Sequence, residues 1–141
     1  MDSKYTSSFN RSVRGVNDDF AAKRTANTFS RGLSQRRGQR GIADAGRQFR
    51  RSVPGLQQNY AGRGIANSGV YKRALQNHTG DYTRNLGRMQ EDLDSNAFQF
   101  DLNDRGLVAE RDRILRDMDL SKAQTISSTA QNIAALKPYM S

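Results

Sequence analysis

Six arginines lie on one side of a helix that the sequence predicts over residues 35–53. The six residues are Arg36, Arg37, Arg40, Arg47, Arg50 and Arg51. A guanidinium matches the geometry of phosphates and carboxylates better than a lysine ammonium does. The row therefore predicts either contact with a nucleic-acid phosphate backbone or an ion-pairing face toward an acidic protein. Base-specific recognition is not expected, because no recognised DNA-reading motif accompanies the arginines.

Five carboxylates occur close together in the second half of the chain: Glu91, Asp92, Asp94, Asp101 and Asp104. Paired carboxylates can perform acid–base catalysis when a pocket holds them. Here they alternate with arginines along a predicted long helix. The pairs Asp101–Arg105 and Asp112–Arg116 have the i,i+4 spacing of local ion pairs. We therefore expect a solvated or inter-subunit ion-pair face.

The remaining residue types exclude several kinds of site. The chain has no cysteine, which excludes disulfides, thiolate catalysis and cysteine zinc sites. His78 is the single histidine, so we expect a structural role, no metal site and no cofactor. Ser68 lacks a credible base for nucleophilic catalysis. Gly62-x-Gly64 predicts a turn, because no strand precedes it as a dinucleotide fingerprint requires. An enzyme is not expected.

The composition predicts a thin hydrophobic core. Leu, Ile, Val and Phe together number 26 of 141 residues, and the net charge is +9. Such a chain folds poorly alone and is expected to order against copies of itself, a partner or nucleic acid. Residues 1–75 carry 15 Lys/Arg against 4 Asp/Glu, whereas residues 76–141 carry 8 against 10. The basic half therefore predicts an anionic partner.

Glycines and prolines predict short helices in the first half. Residues 1–16 read as irregular, and a helix is expected from Asn17 to a stop at Gly32. The amphipathic helix over 35–53 is expected to end at Pro54-Gly55. Its three glycines, Gly38, Gly41 and Gly46, permit another backbone to approach closely.

The second half predicts one long helix, from about residue 70 to 136. Residues 62–69 form the preceding loop, and Ser68 is a good N-cap candidate. A break is expected near 103–106, and Pro138 ends the helix. A seven-residue apolar series runs along it: Leu86, Leu93, Phe100, Leu107 and Ile114. The companion positions are polar, so this narrow stripe is expected to pack copies of the chain in an oligomer. Neither a signal peptide nor a membrane-spanning helix is expected, since the N-terminus has no apolar segment and no 18-residue apolar run occurs.

The run QQNYAGRGIANSGVYKRAL at residues 57–75 resembles a pattern of small virion proteins of tailed bacteriophages. In those proteins an Arg-Gly-aliphatic-x-x-Ser-Gly turn opens a long helix rich in Gln, Asp and Arg. The resemblance covers about 57–118 and includes head–tail connector, tail and internal ejection proteins. It implies a virion location and implies portal, adaptor or tail proteins as partners. No catalytic residues carry over from it.

Together these observations predict an all-α assembly protein. A basic segment, 1–69, and a long helical segment, 70–141, form one assembly unit rather than two independent domains. The expected function is a non-enzymatic structural protein of the head–tail or tail region. It would form a homo-oligomer and turn its arginines toward DNA or an acidic protein. The alternatives are an ejection protein that accompanies the genome and a free, sequence-independent nucleic-acid-binding protein.

Overall fold

The chain consists of two long helices. The computed structural model describes residues 3–65 and 67–139. Helix α1 spans Ser3–Gly62, helix α2 spans Gly69–Leu136, and a short 3₁₀ helix spans Lys137–Tyr139. No strand occurs among the residues described. The prediction of an all-α fold with a long second helix is confirmed, and α2 ends close to Pro138 as expected.

The predicted short helices of the first half are wrong, because α1 is a single helix of 60 residues. It begins at Ser3 instead of near Asn17, and it continues through Gly32 and Pro54, where stops were expected. A glycine inside a helix costs about 1 kcal/mol and a proline about 3 kcal/mol relative to alanine. Tertiary packing outweighs these local costs, since most helix stability in proteins comes from packing of the apolar face.

An apolar stripe explains why α1 begins early. Tyr5, Phe9, Val13, Val16 and Phe20 recur at steps of four, four, three and four, and all five are half-buried. This spacing places them on one face of a helix. The Ser, Thr and Arg residues between them produce the irregular appearance of residues 1–16, but their side chains lie on the other faces.

The predicted break near 103–106 is also wrong, because α2 continues through these residues. Asp104 lies in this stretch and accepts two hydrogen bonds from Arg24 of α1, from Nε at 3.1 Å and from Nη2 at 3.3 Å. Bidentate arginine–carboxylate contacts have a defined geometry. This contact joins α2 to α1 at the position where the local sequence predicts a break.

The contacts divide the chain into two units. The first unit comprises Met1–Asn27 and Leu102–Ser141, and the second comprises Thr28–Asp101. Within each unit a segment of α1 packs antiparallel against a segment of α2. In the first unit, Phe9 contacts Lys122 and Phe20 contacts Arg111.

The turn between the helices follows the sequence prediction. Gly64 has a φ of 73°, its N–H donates to the Ala61 carbonyl at 2.9 Å, and the Ile65 N–H donates to the Tyr60 carbonyl at 3.0 Å. These are the two hydrogen bonds of a Schellman C-cap, which places glycine in the left-handed conformation. The Tyr71 N–H then donates to Ser68 Oγ at 3.3 Å, so Ser68 is the N-cap of α2, as predicted.

The interface between α1 and α2 is thin. Among the described residues no hydrophobic or polar side chain is fully buried. The predicted stripe of α2 (Leu86, Leu93, Phe100, Leu107 and Ile114) is half-buried throughout. In the second unit, Leu93 and Phe100 line two open grooves, with volumes of about 370 and 600 Å³. The stripe thus packs within the chain and stays partly open to solvent, while its role in an oligomer stays a prediction.

Candidate functional site

The six predicted arginines lie together on the outer side of α1 in the second unit. All six side chains are exposed. Ile42, Ala45, Phe49 and Val53, on the opposite side of the same turns, are half-buried. The amphipathic arrangement predicted for residues 35–53 is therefore confirmed. Whether these arginines contact phosphate or protein stays a prediction.

Three glycines bring α2 close to α1 behind the arginines. A Cβ atom built on Gly38 would lie 2.6 Å from Leu93 Cγ. At Gly41 it would lie 3.1 Å from Met89 Cε, and at Gly46 it would lie 3.2 Å from Tyr82 Oη. The close approach predicted from these glycines is thus present, and α2 is the segment that approaches. The glycine side of α1 faces α2, which leaves the arginine side to solvent.

A stack of rings positions the end of the arginine row. The Phe49 ring stacks on Tyr82, with centroids 4.3 Å apart and an interplanar angle of 8°. Its centroid also lies 5.2 Å from that of His78. The hydroxyl of Ser52 lies 2.6 Å from Nε2 of His78 and donates to the Phe49 carbonyl at 2.7 Å. The sequence analysis missed this cluster. The i,i+4 spacing of His78 and Tyr82 on one face of α2 was its available signal.

The turn and α2 contribute further basic residues to the second unit. Residues 36–88 contain 11 Lys/Arg and only 2 Asp/Glu. The five basic residues contributed by the turn and α2 are Arg63, Lys72, Arg73, Arg84 and Arg88. All eleven basic side chains are exposed. The excess of positive charge in the second unit therefore extends beyond the arginines of α1.

The two carboxylates of this stretch are already paired. Asp44 accepts a hydrogen bond from Arg47, and Asp81 accepts one from Arg84. Each contact is an ion pair within one helix, at i,i+3 spacing. The other nine basic residues have no carboxylate partner in the described part of the chain: Arg36, Arg37, Arg40, Arg50, Arg51, Arg63, Lys72, Arg73 and Arg88. Their charges are uncompensated.

The two predicted i,i+4 pairs, Asp101–Arg105 and Asp112–Arg116, are wrong. Asp101 binds Arg31 of α1 at 2.5 Å instead of Arg105. Asp112 binds the adjacent Arg111 at 3.0 Å instead of Arg116. Packing against α1 offers Asp101 and Asp104 an arginine each, at sequence separations of 70 and 80. Among the described residues no group of three or more His, Cys, Asp or Glu side chains is arranged to hold a metal ion.

Several basic residues of the first unit make contacts within the chain. The Arg111 guanidinium lies 4.3 Å from the Phe20 ring centroid, and the Lys122 ammonium lies 4.4 Å from that of Phe9. Lys23 pairs with Asp19 at 3.0 Å, and the hydrogen bond and charge of this carboxylate raise the pKa of Lys23. The charges of Arg111, Lys122 and Lys23 are therefore engaged in cation–π contacts and an ion pair within the chain. The charges of residues 36–88 are mostly left free for a partner.

Neither helix, over the residues described, combines the length and apolarity that crossing a membrane requires. Comparisons with protein-family models, curated proteins and solved structures found no match to this chain.

Proposed function

We propose that this chain is a non-enzymatic structural protein of a tailed-phage virion, placed in the head–tail or tail region. It assembles as an oligomer and turns its arginine-rich face toward DNA or an acidic protein partner. One observation carries the proposal. The apolar stripe of α2 runs through both units, yet no described side chain is fully buried.

The energetics of the helix pair support assembly. A helix must bury its apolar stripe against another element, and a pair of helices leaves part of each stripe exposed. In the second unit, Phe29 is 63% exposed and Phe98 is 57% exposed. Additional copies would cover such side chains, each of which contributes about 1.5–3 kcal/mol when it is fully buried. An oligomer therefore supplies burial that the single chain lacks.

The arrangement of the carboxylates supports a non-enzymatic role. Asp101 and Asp104 each bind an arginine of α1. Such ion pairs occupy the carboxylate oxygens. They thus serve the helix pairing rather than an acid–base pair in a pocket. The resemblance of residues 57–75 to phage virion proteins supports a virion location and portal, adaptor or tail proteins as neighbours.

Assembly predicts that stability depends on protein concentration. We expect a mass well above the 15.8 kDa of one chain in analytical ultracentrifugation. The unfolding temperature, followed by circular dichroism, should rise as the protein is concentrated, since mass action stabilises an oligomer. Replacing Phe29 and Phe98 with serine should shift the equilibrium toward single chains while the helix signal persists. A monomer whose unfolding temperature is the same at every concentration would contradict the proposal.

Mass spectrometry of purified phage particles tests the location. Peptides of this chain are expected in intact particles and again after triggered DNA release. Peptides that disappear on release would instead identify a protein that is ejected with the genome. If the peptides are missing from both samples, the virion proposal fails.

The uncompensated charge of residues 36–88 favours a second candidate function. A free protein with such a surface would bind nucleic acid without sequence preference. Absence from particles, together with salt-dependent binding to DNA, would support this candidate.

A further inference from the structure

We propose that the side of α1 facing away from α2 binds the phosphate backbone of double-stranded nucleic acid, and that α1 alone supplies the contacts. This inference rests on the proposed function, because it assigns one partner to the arginine-rich face. The residues concerned are called the outer arginines: Arg36, Arg40, Arg47, Arg50 and Arg51. Arg37 is not one of them, since it borders a groove together with Gly38 and Gly41.

The contacts between the helices fix the side of α1 on which the outer arginines lie. Three positions of α1 lie against α2: Gly38, Gly41 and Phe49. An outer arginine stands nine residues from each of them, in the same order: Arg47, Arg50 and Arg40. Nine residues are about two and a half helical turns, which places these arginines on the opposite side of α1. Arg36 and Arg51 stand four residues from Arg40 and Arg47, respectively, and so share that side.

The positive charge of the outer arginines is mostly uncompensated. All five side chains are exposed. Arg47 pairs with Asp44, whereas the other four have no carboxylate partner among the described residues. From Arg36 to Arg51 the helix extends about 22 Å at 1.5 Å per residue. A duplex carries one phosphate charge per about 1.7 Å of its axis, so roughly a dozen phosphates lie along this length.

The scarcity of apolar anchors favours a nucleic acid over an acidic protein. Protein interfaces have a core enriched in aromatic residues and Met, whereas interfaces with DNA are more polar and much more positive. Between residues 30 and 62, all of which the structure describes, no large hydrophobic residue is exposed. Phe29 is exposed but lies about 10 Å before Arg36 along the axis, and the proposed function assigns it to contacts between copies. The outer arginines therefore offer charge without an apolar patch among them.

The placement of the aromatic rings favours a duplex over a single strand. Single-stranded nucleic acids stack their bases on exposed aromatic side chains. Residues 30–62 contain two aromatic residues, and both are half-buried. Phe49 stacks on Tyr82, and Tyr60 contacts Tyr71 with centroids 5.6 Å apart. No stacking platform is offered along the outer arginines, so the phosphate backbone is the feature that this side of α1 can bind.

Binding of the full-length protein to a 24-base-pair duplex of arbitrary sequence, followed by fluorescence anisotropy, tests the inference. With the four unpaired outer arginines in contact with phosphates, the affinity is expected to fall about a hundredfold between 50 and 200 mM salt. A single strand of the same length and poly-glutamate serve as competing probes, and both should bind more weakly than the duplex. A higher affinity for poly-glutamate would overturn the inference in favour of an acidic protein partner. A preference for the single strand would also overturn it.

Glutamine substitutions locate the contacts. The test variant replaces the four unpaired outer arginines: Arg36, Arg40, Arg50 and Arg51. The slope of log affinity against log salt should then become shallower by about 3 to 4, because four phosphate contacts are lost. An unchanged slope would overturn the inference.

A matched control replaces four arginines of the first unit with glutamine: Arg11, Arg14, Arg113 and Arg116. These residues are also exposed and have no carboxylate partner in the described chain, so the change in net charge is identical. The control should keep the wild-type slope. Equal losses in the test variant and the control would show a general charge effect and would overturn the outer arginines as the binding site.

A second pair of variants tests the inference if the glutamine variant fails to fold, which circular dichroism reports. Asp44→Asn frees Arg47 on the outer side of α1, and Asp81→Asn frees Arg84 of α2. Each substitution removes one i,i+3 ion pair within a helix and adds one positive charge. Arg84 stands nine residues before Leu93, which lies against α1, so Arg84 is on the side of α2 away from α1.

The two asparagine variants should therefore differ. Asp44→Asn should steepen the salt slope by about 1, because Arg47 becomes available to a phosphate. Asp81→Asn should leave the slope at the wild-type value. Equal changes in the two variants, or a change only in Asp81→Asn, would overturn the assignment of the contacts to α1.

The outcomes separate this inference from the proposed function. A protein that is retained in particles and oligomeric, but does not bind the duplex, keeps the proposed function and loses the inference. A protein that binds the duplex through the outer arginines, but is missing from particles, keeps the inference and loses the virion proposal.

Discussion

Replacement of Pro54 by alanine is expected to raise the free energy of unfolding by up to about 3 kcal/mol. Pro54 lies inside α1, eight residues before the helix ends at Gly62. Its ring removes the N–H that would donate to the Arg50 carbonyl, and it crowds the preceding turn. Alanine restores that hydrogen bond and is the best helix former. The Pro54 side chain is exposed, so its replacement removes little buried surface.

Urea denaturation at one fixed protein concentration measures this effect, with helicity followed by circular dichroism. The sign of the change is informative. If the helix ended at Pro54, as the local sequence predicts, alanine would only increase the conformational entropy of the unfolded chain. The free energy of unfolding would then fall by about 0.4–1 kcal/mol. A loss of stability would therefore contradict the continuous helix. Gly55→Ala is a suitable companion variant, because a Cβ atom at this position meets nothing within 4 Å. This substitution should raise the free energy of unfolding by about 0.5–1 kcal/mol.

Gly38→Ala is expected to destabilise the second unit, whereas Gly87→Ala is expected to stabilise it. A Cβ atom at Gly38 would lie 2.6 Å from Leu93 Cγ, so Leu93 or the helix must shift. Overpacking of this kind costs about 1–3 kcal/mol, against a helix-propensity gain of about 1 kcal/mol. At Gly87 a Cβ atom meets nothing within 4 Å, so only the gain applies.

The difference between the two glycine variants isolates the steric cost, because both substitutions make the same chemical change within a helix. Urea denaturation of the two proteins should therefore differ by about 1–3 kcal/mol. Combining Gly38→Ala with Leu93→Ala should cost less than the sum of the single changes, since the clash is removed. If Gly38→Ala were as stabilising as Gly87→Ala, α2 would not lie against this position.

Packing at these glycines also decides how the arginine side of α1 is presented. Gly38, Gly41 and Gly46 face Leu93, Met89 and Tyr82 of α2, respectively. Their lack of a side chain allows α2 to pack on that side of α1, which turns the arginines outward. The exposure of the arginine side of α1 therefore depends on the pairing of the two helices.

The features that the sequence by itself determined are local. Gly64 terminates α1 and Ser68 caps α2, because a left-handed glycine and an N-cap serine act on hydrogen bonds within five residues. The arginine side of residues 35–53 is likewise a consequence of the 3.6-residue helical period. The all-α fold and the position of the turn followed from the same signals.

The tertiary structure alone decided the continuity of the helices and the partners of their charges. Glycines and Pro54 disfavour helix locally, and only the packing of α1 against α2 within each unit compensates for them. Asp101 pairs with Arg31 and Asp104 with Arg24 across 70 and 80 residues, a separation at which neither partner is visible in the local pattern. Ion pairs of this kind become apparent only when the antiparallel packing of the two helices is known.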